Sequence, residues 1–230
     1  RLRANVDLMA KQVHALRDAL GIARVLNRTL IIPHFDCLCD RSEYPDIMPS
    51  CIYQGGPRRL TIPFKCSTHF VTDTHKLQLM STEPTRFGMQ PHKFGGKFTQ
   101  PLPIRAYSFL TDPRTDTAIK TSIVDVHLEG GGGGGGGAIL PKRATNEQVI
   151  DTLQSVSSLR EARVLRLSEA EGAFGGWVSN PDESLLFNTM MDYYLYRGAW
   201  CCTSRYIDNN ADNGRVSLKQ PPPLQRPRGG

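Results

Sequence analysis

Near the start of the chain the apolar residues keep a helical rhythm. Met9, Val13, Leu16, Leu20 and Ala23 alternate steps of four and three residues, which lines a single stripe of a helix. Lys11, His14 and Asp18 fall on another face, and Ile22, Val25 and Leu26 widen the apolar face towards the end. The pattern predicts a helix over residues 6–26. Gly21 sits inside it and costs about 1 kcal/mol against alanine, a position that suits close approach to a strand. The run TLIIP at 29–33 then predicts a short buried strand stopped by Pro33.

The next stretch is less regular. Residues 34–104 hold few periodic runs and many Pro, Gly and Cys. Within them a strand is expected at 68–72 and a helix after Asp73, with loop-like text over 84–104. IRAYSFL (104–110) and TSIVDVHL (121–128) are strand candidates. Thr145 with Gln148 forms a capping-box pattern for a helix whose stripe is Val149, Leu153 and Val156. ARVLRL (162–167) is a strand and SEAEGAFGGWVS (168–179) a loop. Asn180 as N-cap, Pro181 at the first helical position and acids in the first turn open a last helix, with Gly198 as its stop.

Helix, strand and loop thus follow one another twice, over 6–41 and 146–179. This predicts an α/β fold: a layered, mostly parallel sheet with flanking helices and long irregular Cys/Pro/Gly-rich loops. The expected organisation is an α/β segment with a Cys-rich loop over 1–129, a flexible run of eight glycines at 130–137, a second α/β unit of the same domain over 138–215, and a Pro-rich tail over 216–230. Open α/β sheets bind ligands at the carboxyl ends of their strands. That directs attention to HFDCLCDR after the first strand and SEAEGAFGGW after VLRL.

Composition narrows the classes. With 39% hydrophobic and 8% aromatic residues in 230, the chain suits a globular protein and not a disordered one. The net charge is +6 and the pI about 9.1, but the basic residues are scattered, which argues against a nucleic-acid partner. No apolar run of transmembrane length and no signal peptide is visible in these 230 residues. The chain opens on Arg1, so a fragment or processed chain is expected, with membrane contact only through a missing upstream anchor.

Cys37, Cys39, Cys51, Cys66, Cys201 and Cys202 allow three readings. They form disulfides in an oxidising lumen, four of them bind zinc in a reducing cytosol, or they stay free. The spacing of Cys37, Cys39, Cys51 and Cys66 is not that of paired C-x2-C knuckles. The adjacent Cys201 and Cys202 are expected to pair with distant partners, since neighbouring residues make a strained bridge.

His34, Asp36, Asp40 and Arg41 could form a polar site, with a carboxylate as base or hydroxyl binder and Arg41 as anion clamp. The alternative is a polar loop whose aspartates accept local backbone hydrogen bonds. His69, Asp73 and His75 lack the spacing of a zinc helix and read as a local polar segment. G-x-S-x-G, Walker and G-x-G-x-x-G motifs are absent, which disfavours ordinary hydrolases, P-loop enzymes and simple Rossmann dehydrogenases. Trp177, in a glycine-rich loop, is a candidate ligand contact, whereas Tyr193, Tyr194 and Tyr196 suit core packing. Asn27-Arg28-Thr29 is an N-glycosylation sequon, expected to be poorly exposed at its helix–strand junction.

LRDALGIARVLNRTLIIPHFDCLCDR, PFKCSTHFVTDTHKL and VLRLSEAEGAFGGW with its following FN and WCC lie along the chain in that order. Together they resemble the plant and algal nucleotide-diphospho-sugar transferase family, which includes arabinosyltransferases acting on cell-wall glycoproteins such as extensins. The glycine run and the 84–120 insert depart from the family's pattern. The resemblance implies a Golgi or secretory-lumen glycosyltransferase, or its C-terminal part. It would move a sugar, arabinose by analogy, from a nucleotide-diphosphate donor to a glycoprotein acceptor. His34, Arg41 and Trp177 are then the expected ligand contacts, and Asp36 and Asp40 the catalytic candidates. Many such enzymes hold Mn²⁺ or Mg²⁺ on a D-x-D pair. This chain has none, so a metal cofactor is expected only if an upstream region supplies that motif, and no metal ligand is assigned here. Other readings stay open: an O-fucosyltransferase-like enzyme, which also carries LNRTLVxP after a helix; a non-catalytic accessory domain of a larger transferase; and a cytosolic zinc-thiolate protein.

Overall fold

The computed structural model describes residues 2–38, 63–66, 68, 71–81, 102–130, 137–200 and 215–221. Cys39, Asp40, Arg41, Cys51, His69, Cys201 and Cys202 lie outside them, as do residues 84–101, most of the glycine run and the end of the tail. In chain order the elements are α1 (Leu2–Val25), β1 (Leu30–Ile31), β2 (Phe35–Cys37), β3 (Phe64–Cys66), α2 (Thr74–Ser81), β4 (Ile104–Arg105), α3 (Thr117–Thr121), β5 (Ile123–Leu128), β6 (Ala138–Leu140), β7 (Ala144–Thr145), α4 (Asn146–Leu153), α5 (Ser157–Glu161), β8 (Val164–Leu167), β9 (Phe174–Gly176), α6 (Pro181–Met191), β10 (Arg197–Trp200) and β11 (Arg215–Ser217).

The strands are mostly parallel, as an α/β fold requires, but they form small sheets and not one continuous layer. β1 pairs with β4, β7 with β9, and β5 lies between β6 and β8, all parallel. β2–β3 and β10–β11 are antiparallel. Val126, Leu128 and Leu140 are buried on the inner face of the three-stranded sheet, while Asp125 and His127 alternate outward. Asp36 and Lys65 stand opposite each other across β2–β3, and the Cys37–Cys66 disulfide closes the same ladder.

Helix α1 starts before the predicted residue 6. Its stripe behaves as the spacing demands: Met9, Val13, Leu16, Leu20 and Ala23 are all buried. It ends in a Schellman arrangement. Arg28 N donates to Ala23 O (2.8 Å), Asn27 N donates to Arg24 O (3.2 Å), and Asn27 takes the left-handed conformation at φ +52°. The Arg28 guanidinium then donates to Ala162 O (2.7 Å), Arg160 O (2.9 Å) and Leu159 O (3.3 Å), satisfying carbonyls at the end of α5.

The glycine at position 21 has a steric reason. A methyl group there would stand 2.2 Å from Phe174 Cδ1 and 2.5 Å from Cε1. The Phe174 ring is buried and meets Trp177 and Phe187 edge-on, so it has no free direction of retreat. Gly21→Ala is therefore expected to lower stability by about 1–2 kcal/mol, the overpacking cost exceeding the gain in helix propensity. Denaturant midpoints check this, and Phe174→Leu in the same background should recover part of the loss. A raised midpoint in Gly21→Ala would refute the close contact.

Several elements differ from the sequence expectation. IRAYSFL is strand only at Ile104–Arg105, and Tyr107–Leu110 form a 3-10 turn. Of the strand expected at 68–72, Thr68, Val71 and Thr72 are not strand and residues 69 and 70 lie outside the described residues; a strand stands at Phe64–Cys66, and Val71–Thr72 lead into α2. Asp73 caps that helix by accepting from the His75 and Lys76 amides. HFDCLCDR is not wholly loop, because its Phe35–Cys37 become β2 once β3 supplies a ladder. FGG inside the supposed 168–179 loop is β9, fully buried, its weak intrinsic propensity overridden by pairing with β7.

Thr145 and Gln148 form the expected reciprocal capping box. Val156, however, is 47% exposed, because α4 ends at Leu153 and a new turn, α5, buries Leu159 instead. The Asn180 side chain caps α6 as expected. The helical path then widens into a π turn over Asp192–Tyr196 and gives way to β10 before Gly198. Tyr194, Leu195 and Tyr196 are all fully buried, which an α-helical period on one face cannot achieve for consecutive residues. Burial pushes the Tyr194 phenol up to about 12 and raises that of Tyr196 as well.

Candidate strand-end ligand site

Asp18 of α1 reaches the loop after β8 from beneath. Its Oδ2 accepts from Gly172 N (2.8 Å), and its Oδ1 accepts from Arg17 Nη1 (2.6 Å). Arg17 also donates to Phe174 O (3.1 Å) and to Asn188 Oδ1 (3.4 Å), with its guanidinium 5.6 Å from the centre of the Phe187 ring. Both side chains are buried, so the pair is a clasp joining α1, the 168–173 loop, β9 and α6, not a ligand contact. Burial pushes the Asp18 carboxyl above its ordinary range, against the pull of Arg17 and the backbone amides. Periodicity placed Asp18 off the apolar stripe but could not show that a loop far along the chain would cover it.

The first strand end lies beyond this clasp. β1 and β4 run parallel, so their carboxyl ends share one edge. Pro33–His34 leave β1 there, and Ala106–Tyr107 leave β4. The His34 and Tyr107 rings lie 3.4 Å apart between centroids, at 37°, and both residues are exposed. Arg105 extends over the Phe109 ring at 5.9 Å. The exposed aromatic pair offers a stacking surface, and Arg105 of β4 carries a positive charge that is held over Phe109.

Asp36 is engaged elsewhere. Its carboxylate pairs with Lys65 Nζ at 2.8 Å, and Gln12 of α1 brackets its backbone by donating to Asp36 O and accepting from Asp36 N. Trp177 is half-buried and packs edge-on against Phe174 (4.9 Å) and Phe187 (5.0 Å). Among the expected ligand residues that are described, His34 alone stands at an open strand edge with an aromatic partner.

A second strand end carries polar residues on the outer face of the three-stranded sheet. Arg166 donates twice to Asp125, at 2.5 and 2.8 Å, and these bonds hold the Asp125 carboxyl below its usual range. His127 Nδ1 lies 3.1 Å from Ser168 Oγ, and Ser168 Oγ lies 3.3 Å from Val126 O. The Ser168 hydroxyl thus has two neighbours, the Val126 carbonyl and the imidazole, and which of them takes its proton depends on the His127 tautomer. The signal in the sequence was the alternation of Asp125 and His127 on one face, legible only once Arg166 and Ser168 were placed on the next strand.

Tyr107 was missed because a continuous strand was expected through it. Asp112 and Asp116, too far apart for a D-x-D pair, serve local structure: Asp112 binds Arg114 and Asp116 caps α3. Among the described residues no three His, Cys, Asp or Glu side chains gather as metal ligands.

No family model and no solved structure matches this chain. It is similar to the arabinosyltransferase XEG113 of Arabidopsis thaliana, 31% identical over 212 residues. The aligned stretch is 87% of this chain but 29% of that protein, so the chain spans less than a third of the relative's length. The resemblance drawn from the sequence motifs accordingly extends over most of the chain.

Proposed function

We propose, from the chain's kinship with the extensin-type arabinosyltransferase-like family, that it is part of a glycosyltransferase. It moves a sugar, arabinose by that kinship, from a nucleotide-diphosphate donor to a cell-wall-type glycoprotein. The observation that carries this reading is the 31% identity to an arabinosyltransferase over 87% of the chain. The parallel strand ends are consistent with it: His34 and Tyr107 form an open aromatic edge where such sheets hold ligands. In this reading the rings stack on the donor and Arg105 faces its diphosphate. Arg41, outside the described residues, remains the second candidate cation.

A secretory-pathway lumen is the compartment this reading requires. The Cys37–Cys66 disulfide supports it, because such bridges persist in oxidising compartments. Among the described residues no helix is long and apolar enough to cross a membrane.

Calorimetric titration of the purified chain with UDP-sugars and GDP-sugars, with and without Mn²⁺, tests the proposal. Saturable binding of a UDP-pentose is expected, and His34→Ala or Tyr107→Ala should weaken it about three- to tenfold, the worth of one aromatic contact. Absence of binding to any donor would favour the accessory-domain reading. That second reading has a specific support: these 230 residues contain no D-x-D pair.

A further inference from the structure

We infer that Asn27 is an N-glycosylation site of the folded protein, carrying an oligosaccharide at the amino end of β1. The inference rests on the secretory-lumen reading above. Asn27-Arg28-Thr29 is the sole N-x-S/T sequence in the chain, so the assignment has no competitor within it.

The sequence alone suggested that a helix–strand junction would hide this tripeptide. The fold does the opposite. The Schellman turn at the end of α1 puts Asn27 in the left-handed conformation and leaves it exposed, with Thr29 exposed as well. Neither side chain makes a hydrogen bond among the described residues, so no folded contact competes for the Asn27 amide or the Thr29 hydroxyl. Between them, half-buried Arg28 turns the other way and binds Ala162, Arg160 and Leu159 carbonyls. The tripeptide is thus divided: its central residue fastens the junction, and its two recognition residues face water.

The competing explanation is conformational. Asn follows Gly in preference for the left-handed residue after a helix, so Asn27 could stand there for its backbone alone. That account explains Asn27 but places no demand on Thr29, two residues later and outside the turn's hydrogen bonds. The modification needs both.

In the transfer, Asn27 Nδ2 forms a bond to the anomeric carbon of a polyprenyl-diphosphate oligosaccharide. The bond from that carbon to the diphosphate oxygen breaks, Nδ2 loses one proton, and the polyprenyl diphosphate departs with its electron pair. No oxidant or reductant is consumed. The glycan attaches before β1, on the opposite side of that strand in sequence from His34.

Peptide mass spectrometry of the protein from its own cells reads two things together: the glycan on Asn27 and the Cys37–Cys66 bridge. The expected result is a glycopeptide at Asn27, with an aspartate left in its place when a peptide amidase releases the glycan. A bridged protein with unmodified Asn27 would overturn the glycan and leave the compartment reading intact. Reduced Cys37 and Cys66 with unmodified Asn27 would overturn both. In a eukaryotic secretory host, Thr29→Ala should abolish the glycan without touching the turn, and Thr29→Ser should retain it. Asn27→Asp, which keeps tolerance of positive φ, should abolish it too. A glycan that survived Thr29→Ala would refute recognition of this sequon.

Discussion

Replacing Arg17 with methionine is expected to destabilise the protein by about 3–5 kcal/mol at neutral pH, the cost of stranding one buried charge. The stranded group is Asp18, held among α1, Gly172 and Phe174 with almost no access to water. Arg17 is the cation that opposes its desolvation. Without it the Asp18 carboxyl must rise further in pKa. The sign of the pH dependence follows. A carboxyl whose folded pKa is raised contributes stability fully present below its unfolded value of 3.8 and lost as pH rises through the folded pKa. The Arg17→Met variant should therefore recover part of its deficit in mildly acid buffer and lose it again towards neutrality. Adding Asp18→Asn should restore much of the neutral-pH stability and flatten that slope. Denaturant unfolding of the variants at several pH values checks this. A deficit in Arg17→Met that does not vary with pH would mean that Asp18 is not the stranded group.

The second large effect is expected from the Cys37–Cys66 bridge. Its cysteines are 29 residues apart, and closing a loop of that size restricts the unfolded chain by an amount worth about 3–4 kcal/mol. The strands it joins, β2 and β3, are three residues each, too short to hold the ladder firmly by backbone bonds alone. Cys37→Ser with Cys66→Ser should lower the unfolding free energy by that amount and loosen the β2–β3 ladder first. Hydrogen exchange at the Asp36 amide, which donates to Gln12 on α1, reports the local loosening. Unchanged stability in the double variant would show that the bridge does not constrain the unfolded chain.

These two effects depend on contacts between distant parts of the chain, and that is where the sequence was least legible. The α1 stripe from Met9 to Ala23, the capping box at Thr145, the N-cap at Asn180 and the β5 and β8 strands could all be read from local spacing. Each is specified by residues within one or two turns of one another. Elements of two or three residues could not be read so. FGG at β9 has poor strand propensity and forms because β7 pairs with it and Phe174 fits against Gly21. Tyr107 joins His34 only because β4 pairs with β1 across a long gap in the sequence, which no periodicity records.

The sequence by itself determined the α/β character, the long helix α1 with its buried stripe, the caps of α4 and α6, the resemblance to an arabinosyltransferase and the sequon. All are written in local rhythm, in capping chemistry or in motif text. The tertiary structure decided which short segments become strands, that the strands form small sheets, and that Arg17 and Asp18 are sealed inside. It also decided that Asn27 faces water while Arg28 does not, and that His34 meets Tyr107. The physical reason is the same in each case. Burial, pairing and desolvation depend on what another part of the chain brings to the same place, and spacing along one segment carries no record of that partner.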